Sequence, residues 1–246
     1  MYSWRNFIDK FKRYGKLERS EKIGLLLTII VLGFIFSFRE WGTEKFDYSS
    51  GLWNFFIVTI LVAIAFLVHE VAHRTIALWL GYKSTYKVWL VGLVAGLIVA
   101  FVSNGRLLFL ATGGLLIAHL EIHRLGKGYY ELNMKHLGWI AMSGPIANMI
   151  FAAILKGVHS FMPLPIIQKL MIINIWIALF DMLPIPPFNG SKTFFGSRFI
   201  YIFVVAALVG CALLLTLASG LLSIIGALII GALMAWIFFA YIDKRW

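Results

Sequence analysis

One apolar segment, Gly51 to Leu80, constrains the fold of this chain most, because it is long enough to cross a membrane. It also carries His69, Glu70 and His73 in the pattern H-E-x-x-H. Two histidines four residues apart share one helix face and can bind one zinc ion, and the glutamate between them can act on water at that metal. At about 1.5 Å per residue, His69 lies about 25 Å from the beginning of the segment and about 16 Å from its end. Because the hydrocarbon core is about 30 Å thick, the sequence predicts a metal site below the lipid surface.

The composition agrees with an integral membrane protein. Apolar residues make up 61% of the chain and charged residues 13%, whereas about a quarter of the residues in an ordinary soluble domain are charged. The net charge of +11 suggests nucleic-acid binding, but 7 of the 22 Lys and Arg residues lie in residues 1–22, before the first apolar segment. The positive-inside rule makes such a segment cytoplasmic. We therefore predict a multi-pass protein of the cell membrane with a cytoplasmic N-terminus, the lipid bilayer as a partner and no nucleic-acid partner.

The apolar segments predict a polytopic α-helical membrane protein with about six transmembrane helices. The six segments are 23–38, 51–80, 137–155, 166–183, 199–217 and 221–242. Two further apolar runs, 89–102 and 107–120, are each short for a spanning helix, so a membrane-embedded β-hairpin or re-entrant region is as consistent with them as a helix pair. If this region does not cross the membrane, every basic loop lies on the cytoplasmic side, which favours six spans plus one embedded region.

A zinc site needs a third protein ligand, and the segment after the fourth predicted span is the strongest candidate region. Pro184, Pro186 and Pro187 end that helix, and Gly190 permits a tight turn. The unwound backbone can then direct a side chain back at the histidine pair. Lys192 follows this turn and is interpreted as a cytoplasmic anchor, with an active-site role as the less favoured alternative.

Three elements, in this order, resemble the site-2 protease family of intramembrane zinc metalloproteases. They are the H-E-x-x-H pattern in one span, the G-P-x-x-N bend from Gly144 to Asn148 in another, and L-P-x-P-P-x-x-G from Leu183 to Gly190. The resemblance covers about residues 50 to 200. Because the chain has no PDZ insert, it is most similar to the compact prokaryotic and archaeal members.

The resemblance implies a role for each motif residue. His69 and His73 would be zinc ligands and Glu70 the general base, and an embedded β-hairpin would suit residues 89–120. The chain would form a single integral-membrane protease domain, 1–246. Its parts would be a basic cytoplasmic arm (1–22), a catalytic core (51–198) and a C-terminal helical hairpin (199–246).

The third ligand is where the chain departs from the family pattern. The family has Asp-Gly, with the aspartate as a zinc ligand, and this chain has Asn189 and Gly190. Two neutral histidines and an aspartate leave the zinc site at +1, whereas an asparagine leaves it at +2, which is unfavourable in a low dielectric. Three hypotheses follow: Asn189 is a weak ligand through its carbonyl oxygen, Asp181 substitutes for it, or the site is degenerate. For Asp181 we favour a hydrogen-bonded or interfacial role at the helix end.

The predicted function is hydrolysis of a peptide bond in the transmembrane segment of a substrate protein, with Zn²⁺ as the cofactor. The alternative is a catalytically impaired pseudoprotease or membrane scaffold that binds client helices, which the asparagine at position 189 would favour. A metal or ion carrier is disfavoured, because its ionisable groups would follow a path, whereas here they cluster at one place. The sequence indicates no oligomeric state.

Overall fold

The computed structural model describes residues 4–42, 46–120 and 132–242. The polar residues 121–131 lie outside the described residues. Within them the chain is mainly helical, with one small antiparallel sheet. The elements are α1 (Trp4–Tyr14), α2 (Arg19–Ser37), α3 (Tyr48–Leu80), β1 (Tyr82–Val88), α4 (Leu90–Val102), β2 (Gly113–His119), α5 (Met134–Phe161), α6 (Pro165–Asp181), α7 (Asn189–Gly196), α8 (Arg198–Leu217) and α9 (Gly220–Tyr241).

Five of these helices, α2, α3, α5, α8 and α9, are long and apolar enough to cross a membrane. The longest, α3, has 33 residues and extends about 50 Å. The side chain of Asp47 caps its first turn by accepting a hydrogen bond from the backbone N–H of Ser49 at 3.0 Å, and Gly81 ends it in the left-handed conformation (φ 89°). These helices support the prediction of a helical membrane protein. The remaining predicted span, 166–183, corresponds to α6, which has 17 residues.

The region 89–120 differs in detail from the sequence-based expectation. Its first apolar run forms the short helix α4, and its second run contributes β2. The partner of β2 is β1, the basic segment just before this region, in a register that pairs Tyr82 with His119 and Val88 with Gly113. Lys83 and Lys87 alternate with buried Ser84 and Tyr86 along β1, so one face of the strand packs inward. The apolar content of 89–120 predicted an embedded element but not this strand partner.

Polar contacts join α2, α3 and the sheet at one end of the helices. Arg74 of α3 forms an ion pair with Glu21 of α2, and both side chains are buried. Glu21 also accepts a hydrogen bond from the backbone N–H of Tyr86 in β1 at 3.0 Å. The hydroxyl of Tyr86 lies 2.8 Å from that of Thr28. One buried carboxylate therefore holds three elements beside the histidine-bearing part of α3.

Loss of Arg74 is expected to destabilise the fold strongly. An Arg74→Met substitution leaves Glu21 buried without its cation, which costs about 3–5 kcal/mol when one partner of a buried pair is removed. We expect thermal unfolding in detergent to show a clearly lower midpoint. The matched control is Lys83→Met, which removes the far more exposed ion pair with Glu18 and is expected to change the midpoint little. Equal midpoints for the two variants would contradict this account.

Candidate metal centre

The histidine pair of α3 forms the centre of a buried polar cluster. His73 is fully buried and His69 is 4% exposed. Their Nε2 atoms lie 3.0 Å apart. Two nitrogens bound at about 2.0–2.1 Å to one tetrahedral zinc ion lie about 3.3 Å apart, so the pair has the spacing of two ligands of one ion.

Helix α5 fixes the orientation of the His73 ring. Nδ1 of His73 lies 2.7 Å from the carbonyl oxygen of Ile140 and 3.3 Å from the hydroxyl of Ser143. Donation from Nδ1–H to that carbonyl leaves the Nε2 lone pair for a metal, which is the usual arrangement of a metal-binding histidine. Gly144 completes the contact, because a Cβ atom there would stand 2.2 Å from Nε2 of His73. The G-P-x-x-N motif therefore provides the surface against which this ligand packs.

A Gly144→Ala substitution is expected to displace the His73 ring and reduce zinc affinity at least about 10-fold. The control lies in the same helix: a Cβ atom added at Gly157 would have no heavy atom within 4 Å, so Gly157→Ala is expected to retain zinc and slightly stabilise α5. Zinc titration of both purified variants checks this. Wild-type zinc affinity in Gly144→Ala would show that the contact does not hold the ligand.

Asp181, at the end of α6, supplies a carboxylate to the cluster. Its Oδ2 atom lies 3.3 Å from Nε2 of His69, and its side chain is buried. Ligand atoms of His69, His73 and Asp181 all lie within 4.8 Å of one another. Three protein ligands of this kind are the set that catalytic zinc sites use, and the carboxylate offsets part of the ion's charge in this buried place. The donor set therefore fits zinc.

Asn189, the predicted third ligand, lies beside this set at the beginning of α7. Its Nδ2 atom donates to both carboxylate oxygens of Asp181, at 3.1 and 3.0 Å. Its Oδ1 atom accepts hydrogen bonds from the backbone N–H of Leu115 in β2 at 3.2 Å and from Nζ of Lys192 at 3.4 Å. This network assigns the amide so that its nitrogen, rather than its oxygen, faces the acid. Asn189 thus orients the carboxylate and links it to the sheet.

The turn at Gly190 differs from the predicted one. Asn189 and Gly190 are the first residues of α7, and a Cβ atom at Gly190 would lie 2.2 Å from the carbonyl oxygen of Met182. Glycine is needed here for close packing between α7 and the end of α6. This packing brings Asn189 next to Asp181.

Lys192, for which the sequence favoured an anchor over an active-site role, lies beside the cluster and donates to Oδ1 of Asn189. Its Nζ atom lies 3.2 Å from the carbonyl oxygen of Pro187. Burial lowers the pKa of the Lys192 ammonium below its usual range, and the nearby Asp181 carboxylate opposes that shift. A basic residue that follows a cluster of prolines gives no sequence signal for this placement.

Glu70 is buried next to the ligand pair. Its side chain is 8% exposed, and across residues 4–42, 46–120 and 132–242 it has no hydrogen bond or ion pair. Its carboxylate oxygens therefore have no protein partner among the described residues.

The long apolar helices and this cluster define an α-helical membrane protein with an internal His-His-Asp group whose atoms have the spacing of metal ligands. The chain is 30% identical over 200 residues to a Methanocaldococcus jannaschii protein named "Putative zinc metalloprotease MJ0611", and the alignment covers 79% of this chain and 94% of that relative. No family profile and no solved structure matches the chain. The chain belongs to the site-2 protease-like family of zinc metalloproteases. The prediction of zinc as the cofactor is confirmed by this relationship and by the donor set.

Proposed function

We propose that this protein is an intramembrane zinc metalloprotease that hydrolyses peptide bonds in the transmembrane segments of substrate proteins. The observation that carries the proposal is the buried cluster of His69, His73 and Asp181 inside a bundle of long apolar helices. Ionisable groups are costly in such surroundings and are functional by default. The relationship to a zinc metalloprotease supplies the reaction class.

His69, His73 and Asp181 would hold the zinc ion, and Asn189, whose Nδ2 atom also lies 3.4 Å from Nε2 of His73, would orient Asp181. Zinc bound there supplies Lewis-acid chemistry, which polarises the scissile carbonyl and acidifies water. Asn189 donates to the carboxylate and accepts from Lys192 and from β2. Asn189 would therefore act as a group that is hydrogen-bonded to a metal ligand and fixes the orientation of that ligand.

Glu70 is the proposed general base. It would take the proton of the attacking water as that water adds to the scissile carbonyl, and later deliver the proton to the leaving amine. Burial and the lack of a partner among the described residues leave this carboxylate free for both transfers. Helix α3 places it between the two histidines in sequence, so ligands and base move together.

For the membrane topology we propose six crossings, made by α6 in addition to the five long apolar helices. The segment from β1 to β2 would be embedded without crossing. The N-terminus and the basic loops would then be cytoplasmic. His69 lies about 32 Å from the first residue of α3 and about 17 Å from its last. The metal centre would therefore be reached from the cytoplasmic end.

Strand β2 offers a route for substrate binding. The sheet has two strands, so β2 keeps one edge without a strand partner among the described residues. The N–H of Leu115 points from that edge to Asn189. A substrate segment that unwinds could add along this edge by β-augmentation and so bring its peptide bond to the zinc ligands. The alternative of a pseudoprotease or scaffold is not favoured, because a carboxylate does reach the histidine pair.

Zinc content of the purified full-length protein in detergent, beside a His69→Ala variant, is the first test. We expect about one zinc per wild-type chain and loss of the metal in the variant, because one of three protein ligands is removed. Cleavage of single-span reporter proteins within the membrane segment then tests the reaction. A wild-type protein without zinc, or one that loads zinc and cuts only soluble loops, would overturn the proposal.

A further inference from the structure

A buried asparagine in α5 has no hydrogen-bond partner. Asn148 has no exposed surface, and neither its Nδ2 nor its Oδ1 atom is bonded within the part of the chain that the structure describes. Buried amides are almost always paired, since an unpaired one has lost its water without compensation. The unpaired amide of Asn148 therefore points to a hydrogen-bond partner that is a bound water or a nearby side chain in another rotamer.

A second unpaired polar atom belongs to the metal centre itself. Nδ1 of His69 is buried and has no partner among the described residues, whereas Nδ1 of His73 contacts the carbonyl oxygen of Ile140. Metal-binding histidines almost always donate their other ring N–H to an oxygen, which fixes the ring and raises its basicity. With Nε2 facing the metal, His69 needs an acceptor for Nδ1–H.

The two unpaired groups lie at the same level of α3 and α5. Tyr82, two residues after the end of α3, lies 3.2 Å from His136 near the beginning of α5, and His73 contacts Ile140 further along α5, so the two helices run antiparallel. Gly144 packs against His73. One turn further along α5, on the same face and about 6 Å along its axis, is Asn148, and one turn back along α3 is His69.

We infer that Asn148 positions the zinc ligand His69 by accepting its Nδ1–H with Oδ1, directly after a rotamer change or through one buried water. A water there has three polar partners, the His69 nitrogen and both amide atoms, which is the usual number for a buried water. The inference rests on the proposed zinc site. It gives the asparagine of the G-P-x-x-N motif a function distinct from that of the glycine, which makes room for His73.

Zinc affinity, measured by competition with a chromogenic chelator on the full-length protein in detergent, tests this role. We expect Asn148→Leu to bind zinc about 10–100-fold more weakly, and Asn148→Asp to retain tight binding because it keeps an acceptor oxygen. The matched control is Asn174→Leu. Asn174 is also a buried asparagine with an unpaired Oδ1, but its Nδ2 donates to the carbonyl oxygen of Leu170 in its own helix.

Cobalt substitution gives a second readout that a purely structural role would not move. The visible absorption spectrum of bound Co²⁺ is expected to change in Asn148→Leu, because that variant removes the group that holds the ring of the ligand His69. The spectrum is expected to stay unchanged in Asn174→Leu, since Asn174 bonds within its own helix. Wild-type zinc affinity in Asn148→Leu, or equal weakening in the Leu and Asp variants, would overturn the inference. If the Leu variant does not fold, Asn148→Ala decides the question by the same titration. Failure of the proposed function is distinguishable, because it would appear in the wild-type protein, either as absence of zinc or as absence of cleavage within membrane segments.

Discussion

The Glu70→Gln variant is expected to bind zinc normally and to cleave its substrate about 10²–10⁴-fold more slowly, the range that general acid–base groups contribute. Glutamine has the shape of glutamate, so the buried space next to the histidine pair stays filled. Its amide cannot accept a proton from the attacking water. Zinc content and the single-turnover cleavage rate of one membrane-segment reporter, measured on the same preparation, check both halves of the expectation.

Two further variants show whether the loss is specific to this carboxylate. Glu40→Gln removes a different glutamate, whose Oε1 atom lies 2.6 Å from Nζ of Lys169. This ion pair is not part of the metal-ligand cluster, so the variant is expected to cleave at the wild-type rate. His69→Ala is expected to lose both zinc and cleavage. Retained cleavage in Glu70→Gln would exclude the proposed mechanism, while loss of zinc in that variant would make Glu70 part of the metal's support.

The local parts of the site could be predicted from the sequence. His69 and His73 share a helix face because helical periodicity relates positions i and i+4, and no distant contact is needed to bring them together. The apolar content of the helices likewise indicated the class of protein, since five long apolar helices are present. Gly144 was identified by its motif, although its contact with His73 became visible only when α3 and α5 were packed together.

The choice between Asp181 and Asn189 as third ligand could not be made from sequence, because it depends on how α6 and α7 pack against the distant histidines of α3. The proline-rich segment folds so that Asn189 returns to Asp181, eight residues earlier, and the two side chains then form a hydrogen-bonded pair. A motif comparison pointed to position 189. One signal favoured the other residue: Asp181 is the sole Asp or Glu between residues 132 and 242, and a lone acid in an apolar region is functional by default.

The sheet was hard to predict for a similar reason. Apolar periodicity cannot separate a short buried helix from a buried strand, and α4 and β2 are both short and mainly apolar. The pairing of β1 with β2 skips the whole of α4. Its partner strand β1 carries Lys83 and Lys87 and lies outside the apolar region, so the apolar content of 89–120 gave no signal for it.

Separate substitutions of Asp181 and Asn189 test which of the two side chains is the metal ligand. Asp181→Asn is expected to lower zinc affinity at least about 100-fold, because the site loses its one carboxylate ligand and the ion's charge is left unbalanced. Asn189→Ala is expected to cost less, about 10–100-fold, because it removes a group that orients Asp181 and leaves the carboxylate itself in place. Chelator competition on both purified variants separates the two roles, and greater loss in Asn189→Ala would make Asn189 the ligand.

The double variant Asp181→Asn/Asn189→Asp is expected to recover much of the lost zinc affinity. The two side chains are nearly isosteric and already bonded to each other, so the exchange moves the carboxylate across the pair without changing its volume. The donors that now serve the Asn189 oxygen, Lys192 and the N–H of Leu115, would stabilise an aspartate there equally well. Affinity no higher than that of Asp181→Asn alone would show that the centre accepts a carboxylate from α6 only. Recovery would show that the metal centre requires one carboxylate and one amide, and that either position can supply the carboxylate.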